Sequence, residues 1–160
     1  MNENGEDVFD KRLLSMVPGT VKFIVADVAL QWVALACNIA LFVVIGHNWP
    51  VFYHFQGGKG VACSTAVVLL IHPLCGLPSI LLCVLVIAVT KYISLGSMTM
   101  LLTYMVLIWI VCFGQWALCI FATLLFIMCV YRHRANIQRL LNGTENKIGR
   151  RVQPQNTEKK

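Results

Sequence analysis

Charge is what this sequence most lacks. Its 160 residues are 58% hydrophobic and only 12% charged, about half the charged share of an ordinary soluble domain. From residue 60 to residue 131 the only Asp, Glu, Lys or Arg is Lys91. A water-soluble domain must show polar surface to solvent, and that stretch has almost none to show. A soluble enzyme, a DNA-binding domain and a disordered chain are thereby excluded. A disulfide framework is missing too. The seven cysteines, Cys37, Cys63, Cys75, Cys83, Cys112, Cys119 and Cys129, lie in or beside apolar runs without a C-x-x-C pair. They read as small buried hydrophobes. Residues 1–20 carry four acids and no apolar core of the length a signal peptide needs. Neither repeats nor a second soluble domain are visible. What remains is an integral membrane protein built from helices. The net charge of +6 is then no sign of a nucleic-acid partner. It comes from the tail, where Arg132, Arg134, Arg139, Lys147, Arg150, Arg151, Lys159 and Lys160 face only Glu145 and Glu158.

The chain divides into an acidic N-terminal segment (1–22), a transmembrane helical domain (23–131) and a basic tail (132–160). The first apolar run, 23–45, is 23 residues long, enough to cross ~30 Å of hydrocarbon at about 1.5 Å per residue. Its polar residues Asp27, Gln31 and Asn38 are spaced by four and seven and share a helical face. A carboxylate there is costly. It either serves a function or makes a packing hydrogen bond to another helix. A glycine-bearing loop, 46–60, follows, and then the runs 61–71, 74–89, 94–113 and 115–131. They are punctuated by His72-Pro73, Thr90-Lys91 and Gly114. The 61–71 run is too short to span alone. It is a half-helix or the start of a kinked one. The expectation is an all-α bundle of about five membrane segments, one of them short or broken. The Lys/Arg bias places the N-terminus outside and the C-terminus in the cytoplasm.

Two segments carry chemistry. The first, residues 46–62, holds Gly57, Gly58 and Gly60 around Lys59, directly before a helix. Glycines let backbone N–H groups approach an anion, a helix N-terminus adds donors, and a lysine adds a point charge for phosphate. A plain glycine turn with a snorkelling lysine is the alternative. A Walker A loop is excluded, because Tyr53 and Gly60 stand where it needs Gly and Ser or Thr. His47 and His54 share the loop without further ligands at metal spacing, so loop-shaping hydrogen bonds account for them better than a metal does. The second segment, residues 132–147, places His133, Asn136 and Arg139 at intervals of three, on one helical face. Ile137, Leu140 and Leu141 form the apolar side, and Asn142-Gly143 is a stop signal. A basic amphipathic stretch of this kind also suits plain adsorption to anionic lipid. Both segments are expected at the cytoplasmic surface, which suits a phosphorylated, amphiphilic substrate.

The run G-H-x-x-P-V-F…F-x-G-G-K-G-V-A resembles the second signature of the bacterial acyl-phosphate:glycerol-3-phosphate acyltransferases. H-R-x-N-I-x-R-L-x-x-G-x-E-x-K resembles their third, and Lys91-Tyr92-Ile93-Ser94-Leu95-Gly96-Ser97 resembles a lesser pattern between them. The match covers about 46–147, in order. The resemblance implies transfer of an acyl chain from acyl phosphate, not acyl-CoA, to the 1-hydroxyl of glycerol 3-phosphate. No metal or cofactor is implied. Implied partners are the two substrates, the lipid bilayer and the cytoplasmic enzyme that makes acyl phosphate. The implied location is the bacterial plasma membrane. Lys59, His133 and Asn136 are the implied catalytic residues. Gly57, Gly58, Gly60, His47, Arg139 and Glu145 are implied to bind substrate or phosphate, with Arg139 and Glu145 bracing the motif. The family's first signature, S-G-N-I-G-A-T-N, has no counterpart in residues 1–20. A D-x-x-K-G pattern would align Asp27 but meets Leu30 and Gln31. The N-terminal part is therefore expected to be truncated or diverged. Two rival readings are a small transporter using Asp27, Gln31 and Asn38, and a non-catalytic membrane interaction protein.

Overall fold

The computed structural model describes residues 4–54 and 57–149. Helix α1 runs unbroken through Asn4–Asn48, with no interruption where the acidic segment was set off from the first span. It also continues past residue 46, where a loop was expected. Pro50 is what ends it, because proline disfavours helical geometry in the residue before it. A short 3₁₀ turn, Val51–Tyr53, follows. The remaining helices are α2 (Val61–Ile71), α3 (Pro73–Thr90), α4 (Ile93–Val111), α5 (Trp116–Arg132) and α6 (Arg134–Leu141). The punctuation behaves as the sequence suggests. Pro73 opens α3, where its missing N–H costs nothing. The His72 imidazole accepts from the Cys75 amide at 3.3 Å as a cap. Gly114 takes φ 96° in the turn into α5.

Among the described residues three helices are long and apolar enough to cross a membrane: Gly19–Asn48 of α1, α3 and α4. The α5–α6 pair, bent by 59°, makes a fourth if taken as one span, and the 11-residue α2 is too short. Five apolar segments are thus present, although fewer than five are of spanning length.

The helices form a ring in which α2 packs between α1 and α3, α4 between α3 and α5, and α5 returns to α1. Tyr104, Ile108, Val68 and Cys119 are fully buried at its centre. Small residues permit close approach. A Cβ on Gly76 would stand 2.5 Å from the Val68 carbonyl oxygen, and one on Gly96 would collide with Ile87. Six of the seven cysteines are buried and all are free. On α1, Gln31 Nε2 donates to Asp27 Oδ2 at 2.7 Å and Asn38 Nδ2 to the Ala34 carbonyl at 2.8 Å. The polar face is therefore satisfied within its own helix, and these residues stay exposed.

The ring has two distinct ends. At one, Trp109, Phe113 and Trp116 cluster, with Trp109 and Trp116 edge to face, beside the His72–Cys112 contact. At the other, Trp49 stacks on Tyr131. The loops 49–60, 91–92 and 132–148 meet there through Arg132 on Gly58 and the Ile148 amide on the Lys91 carbonyl. Aromatic side chains at both ends of an apolar bundle suit the two bilayer interfaces.

Candidate active site

A cleft of about 240 Å³ opens at the second end, lined by Lys59 and Val61 from the start of α2, Ile93 and Ser94 from the start of α4, and His133, Asn136, Arg139, Glu145 and Asn146. Five of the predicted site residues, far apart in the chain, are thus brought together. His47, Gly57, Gly58 and Gly60 are not among the lining residues; the glycines flank Lys59 in the chain and pack on the 47–50 segment. A Cβ on Gly58 would sit 2.6 Å from His47 Nε2. The Gly57 Cα lies against the backbone carbonyls of His47 and Asn48, so no larger residue fits. Gly60 has φ 68° and backs onto the Asn48 side chain, and its left-handed geometry is one that glycine adopts freely.

His133 stands at the α5–α6 bend and is fully buried. Its Nδ1 lies 2.8 Å from the Cys129 carbonyl, and Nε2 lies 3.1 Å from Ser97 Oγ. A carbonyl only accepts, so Nδ1 carries the proton. In the neutral ring Nε2 is then an acceptor, and it competes with the Ser94 carbonyl, 3.0 Å from Ser97 Oγ, for the single Ser97 hydroxyl proton. Burial pushes the His133 pKa down. The Cys129 carbonyl opposes that shift, Lys59 and Arg132 add to it by charge repulsion, and Glu145 offsets it in part.

Glu145 is the hub of the C-terminal segment. Its Oε1 accepts from Asn136 Nδ2 at 2.6 Å and Ser94 Oγ at 2.7 Å, and Oε2 accepts from Arg139 Nε at 2.8 Å. Burial alone would raise this carboxyl. The three donors and the Arg139 charge outweigh burial and hold it at about 2. Gly143, at φ 67°, turns the chain so that the Thr144 amide bonds the Arg139 carbonyl at 2.8 Å and Glu145 folds back onto the helix. On α6 the polar face is the covered one: Asn136 is 3% exposed, whereas Leu141 is 82% exposed.

Sequence reasoning missed three contributors as site residues. Ser94 and Ser97 lie in the 91–97 pattern and could have been found there. Arg132 gave no signal beyond a basic residue closing an apolar helix. It donates to the Gly57 and Gly58 carbonyls, 75 and 74 residues away in the chain. His54 lies outside the cleft lining. Among the described residues no cluster of three or more His, Cys, Asp or Glu suits a metal ion.

The arrangement puts a lysine and hydrogen-bonding side chains around one opening at the end of the bundle where Trp49 and Tyr131 lie. That set has the chemistry to hold an anionic phosphate ester. The family model described as glycerol-3-phosphate acyltransferase matches residues 12–143. A glycerol-3-phosphate acyltransferase of Thermoanaerobacter sp. (strain X514) is 46% identical over 120 residues, covering 75% of this chain and 59% of that protein. One of Clostridioides difficile (strain 630) is 38% identical over 144 residues, covering 85% and 68%. The chain therefore spans about three fifths of the Thermoanaerobacter protein's length. Among solved structures, PlsY (YgiH), an integral membrane glycerol 3-phosphate acyltransferase in its glycerol 3-phosphate form, superposes with a TM-score of 0.63 at 35% identity. That match covers 66% of this chain and 52% of PlsY. The lysophosphatidic acid form gives 0.62.

Proposed function

The chain belongs to the glycerol-3-phosphate acyltransferase family, and from that premise we propose that it transfers an acyl chain from acyl phosphate to the 1-hydroxyl of glycerol 3-phosphate. The products are lysophosphatidic acid and inorganic phosphate, and the step belongs to phospholipid biosynthesis. The observation that carries this reading is the single cleft uniting Lys59 with His133, Asn136, Arg139 and Glu145.

In this reaction the 1-hydroxyl oxygen attacks the acyl carbonyl carbon. The bond from that carbon to the phosphate oxygen breaks, and the hydroxyl proton leaves with the phosphate. The donor is already activated, so positioning and charge stabilisation carry the rate. Lys59 neutralises phosphate and the negative charge that develops on the carbonyl oxygen. Backbone N–H groups of the 57–60 loop hold phosphate oxygens. His133 and Asn136 orient glycerol 3-phosphate. Asn136 is itself fixed by Glu145 at 2.6 Å, and Arg139 by the same carboxylate at 2.8 Å. His47 supports the loop from behind. Neither a metal nor a cofactor enters the scheme.

Lys59, Lys91, Arg132, Arg134, Arg139 and Lys147 all belong to the end that holds the cleft. The Lys/Arg bias makes that end the cytoplasmic face of the bacterial plasma membrane, where a soluble acyl-phosphate-forming enzyme can deliver the donor. The test is turnover by the purified chain in proteoliposomes, followed by ³¹P NMR. Acyl phosphate and glycerol 3-phosphate should give lysophosphatidic acid and phosphate one for one, acyl-CoA should not replace the donor, and chelators should change nothing. Equal rates with acyl-CoA, or intact acyl phosphate beside folded protein, would sink the reading.

A further inference from the structure

Arg132 is not among the residues that line the cleft, yet it holds the loop that carries Lys59. Its Nη2 donates to the Gly57 carbonyl at 2.7 Å and the Gly58 carbonyl at 2.7 Å, and its Nε donates to Gly58 at 3.1 Å. The guanidinium carbon stands 5.3 Å from the Trp49 ring centroid, and Trp49 in turn stacks on Tyr131 at 6.1 Å. The guanidinium thus lies over the Trp49 face while it grips two consecutive carbonyls. Arginine does this and lysine does not, because only the guanidinium offers several donors in a rigid plane.

The consequence follows from peptide planarity. In a trans peptide the C=O and the next N–H point in opposite directions, and every described peptide is trans. With the Gly57 and Gly58 carbonyls turned toward Arg132, the Gly58 and Lys59 N–H groups are turned away from it. Neither amide has a hydrogen-bond partner among the described residues, and nor does the Lys59 ammonium. Glycine at 57 and 58 is required for the same geometry, since both positions press on the 47–50 backbone and the His47 ring. A cation on the carbonyl side also polarises each peptide, which strengthens its N–H as a donor.

We propose that Arg132 is a positioning residue: it orients the Gly58 and Lys59 amides as a two-donor site for a phosphate monoester or acyl phosphate, without touching the ligand itself. This deepens the reading of the loop given above and rests on it only for the identity of the natural ligand.

The experiment uses the full chain in nanodiscs, labelled with ¹⁵N-glycine and titrated separately with inorganic phosphate and with glycerol 3-phosphate. The Gly58 amide resonance is followed alongside the melting midpoint. In the unmodified chain and in Arg134→Ala, phosphate should move the Gly58 resonance. Arg134 is a matched control, because it sits 4.5 Å over Tyr131 and bonds that residue's carbonyl, not the loop. Arg132→Ala should weaken phosphate binding at least tenfold and leave Gly58 unmoved. Arg132→Lys keeps the charge and loses the fork; it should recover less than half of the lost affinity at an unchanged midpoint. If Arg132→Ala does not fold, Arg132→Lys alone decides. The proposal is overturned if Arg132→Lys binds the responding ligand as the unmodified chain does, or if neither inorganic phosphate nor glycerol 3-phosphate moves the Gly58 amide in the unmodified chain. Phosphate binding without acyl transfer would instead refute the proposed reaction and leave this inference standing. A response to glycerol 3-phosphate but not to inorganic phosphate assigns the two donors to the acceptor substrate; a response to both assigns them to the shared phosphate group.

Discussion

Glu145→Gln is the substitution for which the structure gives the fullest expectation. The carboxylate is 6% exposed and accepts from Ser94, Asn136 and Arg139. Glutamine keeps the shape and one acceptor. If its oxygen stays on Ser94 and Asn136, its NH₂ opposes the Arg139 guanidinium, and a hydrogen bond to a charged group is lost, worth about 1.5–3 kcal/mol. Protonation gives a second route to the figure. Lowering the carboxyl from 4.5 to about 2 corresponds to about 3 kcal/mol at roughly 1.36 kcal/mol per unit. Arg139 is 44% exposed, so solvent screens its share and the sum falls to about 2 kcal/mol. For a chain of this size that lowers the melting midpoint by about 4–8 °C. A depressed carboxyl stabilises the fold above its unfolded value of 4.5 and loses that contribution as the pH falls toward 2. Melting in detergent at pH 7 should therefore separate Glu145→Gln from the unmodified chain by several degrees, and at pH 3 the gap should shrink. Equal midpoints at pH 7, or a gap that ignores pH, would refute the reasoning.

Three further outcomes follow. Gly76→Ala should destabilise, because its Cβ would stand 2.5 Å from the Val68 carbonyl oxygen and 3.1 Å from Leu69 Cα. Gly46→Ala, with nothing within 4 Å, should raise the melting midpoint by the equivalent of about 0.4–1 kcal/mol; the reverse order would contradict the close packing of α2 on α3. The buried His133 disfavours its charged form, so the fold should lose stability as the pH drops below 6.5, the value in the unfolded chain. His133→Gln should flatten that slope in a melting series from pH 7 to pH 5, and an unchanged slope would count against a neutral, buried ring. In a cysteine-free background, a thiol at position 5 should react with an impermeant label from outside and one at position 155, which lies beyond the described residues, should not. Labelling at 155 in intact cells would invert the topology.

The helices were legible because their stops are local. His72-Pro73, Thr90-Lys91 and Gly114 each break the chain through the backbone chemistry of one or two residues, and α2–α5 begin and end within two residues of the expected runs. The end of α1 was misplaced because Gly46 looks like a breaker, whereas the helix runs on until Pro50 forbids it. The grouping of Lys59 with His133, Asn136, Arg139 and Glu145 was expected from motif resemblance and is realised in one cleft. How they are held was not legible. The bonds from Ser94 to Glu145 and from Arg132 to Gly57 span 51 and 75 residues, and no periodicity encodes a contact made only when the ends of different helices meet. The polar face of α6 misled in the opposite way. Amphipathic patterning suggests apolar residues inside, yet Asn136 and His133 are buried because Glu145, Ser97 and the Cys129 carbonyl satisfy them.

The central claim is that the glycine-loop lysine acts on the reacting phosphate, and the rate of acyl transfer by Lys59→Ala tests it most directly. Lys59 lines the cleft and has no ion-pair partner among the described residues. Its loss should cost about 2–4 kcal/mol of transition-state stabilisation, a fall of roughly a hundred- to thousandfold in kcat/KM, with an unchanged melting midpoint. Lys91→Gln is the control. Lys91 belongs to the same end of the bundle but caps α3 with φ 63° and lies outside the cleft, so its rate should stay near that of the unmodified chain. A folded Lys59→Ala that transfers acyl groups as fast as Lys91→Gln would reduce the loop to a turn and contradict the account.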